Sequence, residues 1–153
     1  MNNKYLIVDF DSTFIQVEAL DELAAIALAD HSESESVVEK IKTITAQGME
    51  GKISLSESLA SRIKLLSANK NHIAQLVEIL KDKVSPSFKR NVAFLNQFSD
   101  NVYIVSSGFK EYIEPIVTLF GIKASHIFAN NFTFDASGNI NGLDDANPLA
   151  QDQ

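Results

Sequence analysis

A chain of 153 residues has room for one domain, or for one domain carrying a modest insertion. Its 45% hydrophobic and 22% charged residues are those of an ordinary globular protein, and no apolar run approaches the ~20 residues of a membrane-spanning helix. A formal charge of −7 with 13 scattered basic residues repels nucleic acid and anionic membrane, so a small ligand or a divalent cation is the expected partner. With no cysteine there is neither disulfide framework nor thiolate metal site, and the N-terminal apolar stretch is too short for a signal peptide; the chain reads as cytoplasmic.

Residues 4–9 begin the chain order with a continuous apolar run, Tyr5, Leu6, Ile7 and Val8, expected as a strand buried on both faces of a sheet. From about 18 to 83 the period turns helical. Leu20, Leu23, Ala24 and Ala27 share one face of a first helix, and Val37, Val38, Ile41 and Ile44 line a second that stops near Gly48. Ser54 followed by Glu57 predicts a capping box opening a third helix through Leu59, Ile63 and Leu66, and a fourth runs from roughly 71 to 83 on Ile73, Leu76, Val77 and Leu80. Pro86 then breaks the series.

Beyond that proline the chain alternates: a helix at 87–98, a strand "NVYIVSS", a helix "FKEYIEPIVTLF" closed by Gly121, a strand near "HIFAN", and a hairpin of "NFTFD" and "NINGLD" around "ASGN". Pro115 is expected to kink or restart its helix. The last residues, from Leu143, are polar and without period. Alternation of this kind specifies an α/β fold with a parallel, Rossmann-like sheet, and residues 17–85 read as a helical cap inserted after the first strand of a core formed by 1–16 and 86–153.

Ligands of open α/β sheets bind beyond the carboxyl ends of the strands. Asp9 and Asp11 stand at the first such end, and Ser106, Ser107 and Gly108 at the second. A lone D-x-D serves as a turn device. Here it is joined to an apolar strand, a helical insertion and an S-S-G at the next strand end, an order chance rarely assembles. "VDFDSTFI" and "VSSGF" resemble the haloacid dehalogenase-like superfamily of phosphatases, and "ALDEL" with "MEGKISLSESLASRIKLL" is similar to its phosphoserine phosphatases.

That resemblance implies a Mg²⁺-dependent phosphomonoesterase. Asp9 would be the nucleophile, forming an aspartyl-phosphate, and also a metal ligand. Asp11 would protonate the leaving hydroxyl, activate water, and face the metal through its carbonyl. Thr13 would orient the loop, and Ser106 would donate to a phosphoryl oxygen with help from the backbone at Ser107 and Gly108. Bringing an anion onto a carboxylate requires such a cation and such donors. Glu18 would hold the ammonium of phosphoserine, Arg62 its carboxylate, and Met49 would form an apolar lid.

Each has a plain structural alternative: Glu18 in a helix's first turn, Arg62 on a solvated face, Met49 as core filler, Ser106 as an N-cap. Leu55 and Ser107 depart from the family's usual phenylalanine and second glycine, which leaves another small phosphate ester as the alternative substrate. His31, His72 and His126 are expected to be at the surface or bonded locally.

The family further uses a lysine and a G-D-G-x-x-D loop that this sequence lacks; Lys123, Asp144 and Asp145 do not fit those roles. The expectation is an incomplete core without its C-terminal strands, inactive alone, whose first strand is an open apolar edge prone to self-association or to pairing with a missing segment. A degenerate binding module with the same fold is the non-enzymatic alternative.

Overall fold

A computed structural model describes residues 4–152; positions 1–3 and 153, at the ends of the expected core segments, lie outside the described residues. Three parallel strands, β1 (Leu6–Val8), β2 (Val102–Phe109) and β3 (Ile127–Asn130), form a sheet in the order β1-β2-β3. Leu6 aligns with Val102, Val8 with Ile104, and Ile104 with Ile127. Between β1 and β2 lie four cap helices, α1 (Ala19–Ala27), α2 (Ser34–Met49), α3 (Leu55–Leu66) and α4 (Lys70–Asp82), followed by short helices α5 (Pro86–Arg90) and α6 (Val92–Gln97). After β2 come α7 (Lys110–Val117), β3, and the hairpin β4 (Phe132–Phe134) and β5 (Ile140–Leu143).

The expected α/β fold with its inserted helices is what the chain adopts. The first strand, however, is neither six residues long nor buried on both sides. One sheet face, with Val8, Ile104, Ile127 and Ala129, is buried, and α7 packs against β2 and β3. The opposite face carries Ile7, which is 67% exposed, beside Tyr103 and Phe128. A hydrophobic run alone does not say how many neighbours a strand has. Among the described strands β1 pairs only with β2.

Local chemistry sets the helix ends. Ser54 Oγ accepts from Glu57 N–H at 3.2 Å, so half of the predicted capping box forms. A complete box opens α4 instead: Asn69 Oδ1 accepts from His72 N–H, and His72 Nδ1 accepts from Asn69 N–H. The expected helix at 87–98 is two, divided at Asn91, whose backbone leaves the helical region. Pro115 neither restarts nor interrupts α7, which runs on to Val117 and then tightens into a 3₁₀ turn. A proline this close to the C-terminus deprives the helix of a single hydrogen bond, which leaves it intact. Gly121 closes that turn at φ +81°.

The cap is tied to the core in three places. The two linkers pair antiparallel at Ile15 and Val84, with Ser85 N–H donating to Phe14 O at 2.8 Å and Gln16 N–H to Lys83 O at 2.9 Å. The hairpin reaches the α3–α4 connection, where Ile140 N–H donates to Ala68 O and Lys70 N–H to Gly138 O. The polar tail is ordered: Asn147 bonds Ala129 O, and Asp152 accepts from the amide and hydroxyl of Ser56 at the start of α3. Buried apolar side chains of sheet and cap form one continuous cluster.

Candidate active site

The loop after β1 is a wide turn in which Ile15 N–H donates to Phe10 O at 3.1 Å. Asp9 opens it, its carboxylate accepting from Phe10 N–H at 2.6 Å. Ser12 sits at φ +53°, a left-handed conformation uncommon for a side-chain-bearing residue and costing about 1–2 kcal/mol. Its hydroxyl donates to Glu18 at 2.6 Å and its amide to Val17 O, and these bonds hold the turn. Asp11 Oδ1 accepts from Ala19 N–H at 2.7 Å, which places the carboxyl at the N-terminus of α1. Burial pushes the Asp11 carboxyl up to about 7, against the opposing effect of that amide, and the negative charges of Glu18 and Asp9 add to the rise.

The tip of β2 meets this loop. A Cβ on Gly108 would stand 2.8 Å from Tyr112 Oη, 2.9 Å from Asp11 Oδ2 and 3.1 Å from Ser106 Oγ. Only a glycine admits that convergence of three oxygen atoms. Ser106 is 3% exposed and its Oγ accepts from Gly108 N–H at 3.0 Å; it lies within β2 and does not cap α7.

Above the loop is a cavity of about 140 Å³, lined from the core by Asp11, Ser107, Gly108 and Tyr112, and from the inserted segment by Glu18, Met49 and Arg62 among others. Glu18, Met49, Arg62, Ser107 and Gly108, all singled out in the sequence as substrate readers, thus share one space with Asp11. Met49 stands at the rim, largely exposed. Asp9, Thr13 and Ser106 are outside the lining. Thr13 is exposed and engages the cap linker, its carbonyl accepting from Ser85 Oγ at 2.7 Å.

Arg62 is not a solvated helix residue: it is 8% exposed. Its Nε donates to Ser58 O at 3.4 Å and its Nη1 to Thr45 Oγ1 at 3.3 Å. Among the described residues no carboxylate lies within ion-pair distance of it. No group of three or more acidic or histidine side chains suited to a metal occurs among them either. Oxygen donors at Asp9 and Asp11 nonetheless suit Mg²⁺, which takes one or two carboxylates and completes its shell with water and phosphate.

No family model matches the chain. A chloroplastic phosphoserine phosphatase of Arabidopsis thaliana is 31% identical over 94% of this chain and 46% of its own length. In structure, a phosphoserine phosphohydrolase-like protein from Francisella tularensis superposes with a TM-score of 0.85 at 29% identity, covering 96% of this chain and 67% of that one. The chain is thus similar to phosphoserine phosphatases and has the haloacid dehalogenase-like fold. A phospho-aspartyl intermediate analogue of phosphoserine phosphatase also superposes, with a TM-score of 0.69 at 26% identity over 92% of this chain and 61% of that one. The chain thus spans about half the length of the curated Arabidopsis relative.

Within this phosphoserine phosphatase-like frame, two polar residues at the site escape sequence reading. Tyr112, on an apolar helix face, reads as core. Asn130, fully buried, donates to Ser107 O at 2.8 Å and to Leu149 O at 3.3 Å, and so holds the β2 tip. A polar residue at the carboxyl end of the third parallel strand was the available signal for Asn130. His72 bonds locally, to Asn69 N–H, whereas His126, half-buried, bonds Val102 O at 3.0 Å from 24 residues away and stacks on Tyr103, so it is neither at the surface nor bonded locally. Lys123 pairs with Asp100, and Asp144 accepts from Ala146 N–H in the tail.

Proposed function

We propose that these residues form the nucleophile-and-substrate half of a phosphoserine phosphatase site, the enzyme class that releases serine in the last step of its biosynthesis. The observation that carries the reading is the single cavity in which Asp11, Glu18, Arg62 and Gly108 meet above the β1 tip. Asp9, at the exposed end of β1, attacks the phosphorus and accepts the phosphoryl group. Asp11, held near neutrality by burial, protonates the departing hydroxyl and then takes a proton from the attacking water. Ser106 and the amides around Ser107 and Gly108 receive phosphoryl oxygens. Glu18 and Arg62 pair with the ammonium and carboxylate, and Met49 covers the mouth. Asp9, with the Asp11 carbonyl, would hold Mg²⁺, which when bound supplies charge neutralisation for the phosphoryl group.

Two acids and one base line the cavity, with no lysine. We therefore expect this chain by itself to bind phosphate weakly and turn over slowly. Leu55 and Ser107 both line the same space, which keeps a different small phosphate ester as the second reading. The exposed β1 edge with Ile7 supports self-association. No helix among the described residues is long and apolar enough to cross a membrane, and the cytoplasmic setting remains part of the reading. Phosphate release from phosphoserine, against a panel of phosphomonoesters, tests the assignment; Asp9→Asn should abolish it. Equal rates across the panel would favour the second reading, and phosphoserine binding without any release would favour a binding module.

A further inference from the structure

Thr45 lies near the C-terminus of α2, is 7% exposed and borders the cavity. A buried threonine inside a helix has a plain explanation: its hydroxyl bonds the carbonyl one turn back, and Ile41 O does lie 3.1 Å away. Two further contacts do not follow from that explanation. The same hydroxyl lies 2.9 Å from Asp21 Oδ1 on α1, and its oxygen accepts from Arg62 Nη1 on α3 at 3.3 Å. A hydroxyl has one proton to donate. The carboxylate is the charged acceptor and the nearer one, so the proton goes to Asp21 and the oxygen keeps its lone pairs for Arg62. Carboxylate, hydroxyl and guanidinium thus form a chain, with one member on each of three cap helices.

The order of that chain decides what it can do. Asp21 is half-buried and outside the cavity lining, and among the described residues Arg62 makes no ion pair. A carboxylate in direct contact would occupy the guanidinium fork and compete with an anionic substrate. With a hydroxyl between them, Asp21 orients Arg62 at one nitrogen, and the charge of the fork stays available in the cavity wall. The other restraint, Nε–H to Ser58 O at 3.4 Å, comes from the helix that carries Arg62 itself. Fixing a long side chain before the ligand arrives removes part of the ordering cost of binding.

Resting on the reading of the site given above, we propose that Asp21 and Thr45 are positioning residues: Asp21 fixes the Thr45 hydroxyl, whose oxygen holds Arg62 ready for the substrate without neutralising it. Because Asp11 accepts from Ala19 N–H, α1 then sets both the acid and, through Thr45, the base of one cavity.

A double-mutant cycle on phosphoserine affinity, followed by NMR titration of the chain in Mg²⁺ buffer, tests this. Arg62→Ala should weaken binding about tenfold or more, and Asp21→Ala and Thr45→Val about fivefold each. Thr45→Ser, which keeps the hydroxyl, should stay within about twofold of wild type, and on the Arg62→Ala background neither Asp21→Ala nor Thr45→Val should change affinity by more than about twofold. A residue that merely packs the cap would weaken binding equally with and without Arg62. Such equal losses overturn the proposal, as do unchanged affinity in Asp21→Ala or Thr45→Val and a loss in Thr45→Ser as large as that in Thr45→Val; each leaves the phosphatase reading standing. If wild type does not bind phosphoserine, or Arg62→Ala binds it equally well, the reading of the site fails and the inference with it. Should the Asp21 or Thr45 variants not fold, the wild-type site itself carries the test. The chain has two arginines, Arg62 and Arg90, so ¹⁵N-labelled Arg90→Lys reports on one guanidinium. Its two Nη nitrogens should give separate signals without ligand because Thr45 holds one of them, and a single averaged signal, the mark of a freely turning fork, overturns the proposal.

Discussion

Asp11 is held where its charge is costly, and that makes it useful. Burial raises its carboxyl to about 7 although the α1 amide at Ala19 works the other way. Because the folded-state value lies above the ordinary 3.8, the stability this group contributes is fully present below pH ~3.8 and is lost as pH rises through about 7. Cation-free Asp11→Asn should therefore gain stability relative to wild type between pH 4 and 8, by on the order of 2 kcal/mol once solvent at the cavity mouth is allowed for. Urea unfolding at stepped pH measures it; a pH-independent difference would mean that the carboxyl is not buried. Gly108 is the other decisive position. A methyl group there meets Tyr112 Oη, Asp11 Oδ2 and Ser106 Oγ, so Gly108→Ala should cost about 1–3 kcal/mol and abolish phosphoserine binding, read by thermal melts and calorimetry.

Among the elements, helix ends rather than helix interiors carry the cap's geometry. Asn69 and His72 close the start of α4 reciprocally, and the same turn receives the hairpin through Lys70 and Asn139. Asn69→Ala should cost about 1 kcal/mol and lower the melting temperature by roughly 2–4 °C. At Gly121 the left-handed turn that ends α7 sits against Asn96 of α6, and a Cβ there would overlap the Asn96 amide. Gly121→Ala should destabilise by about 1–2 kcal/mol through its φ alone, with α6 shifting further; denaturant melts test this. α2 and α3 approach at Gly48, where a Cβ would lie 2.8 Å from Ser58 Oγ. That close contact brings Thr45 within reach of Arg62.

For the whole molecule, the uncovered face and edge of the sheet are the dominant surface feature. Parallel sheets are normally covered on both sides, and an open apolar edge templates further pairing. The chain should therefore associate as concentration rises, and Ile7→Lys should keep it monomeric in sedimentation velocity; wild type that stays monomeric at high concentration would contradict this. The sequence by itself determined the order of strands and helices, because period and turn residues are local properties of "YLIVDF", "NVYIVSS" and the four cap helices. It also determined that Asp9 stands just beyond the end of β1, whereas Ser106 and Ser107 proved to lie within β2. Face burial, by contrast, is a non-local property: the run at Tyr5 to Val8 has the composition of a strand covered on both faces, and only the assembled sheet leaves Ile7 exposed. Tertiary packing alone turned Arg62 inward, raised Asp11, and placed the hydroxyl of an apparent core residue, Tyr112, in the cavity wall. Those outcomes depend on which side chains from distant segments exclude water from the same few cubic ångströms, and a linear pattern does not carry that distance.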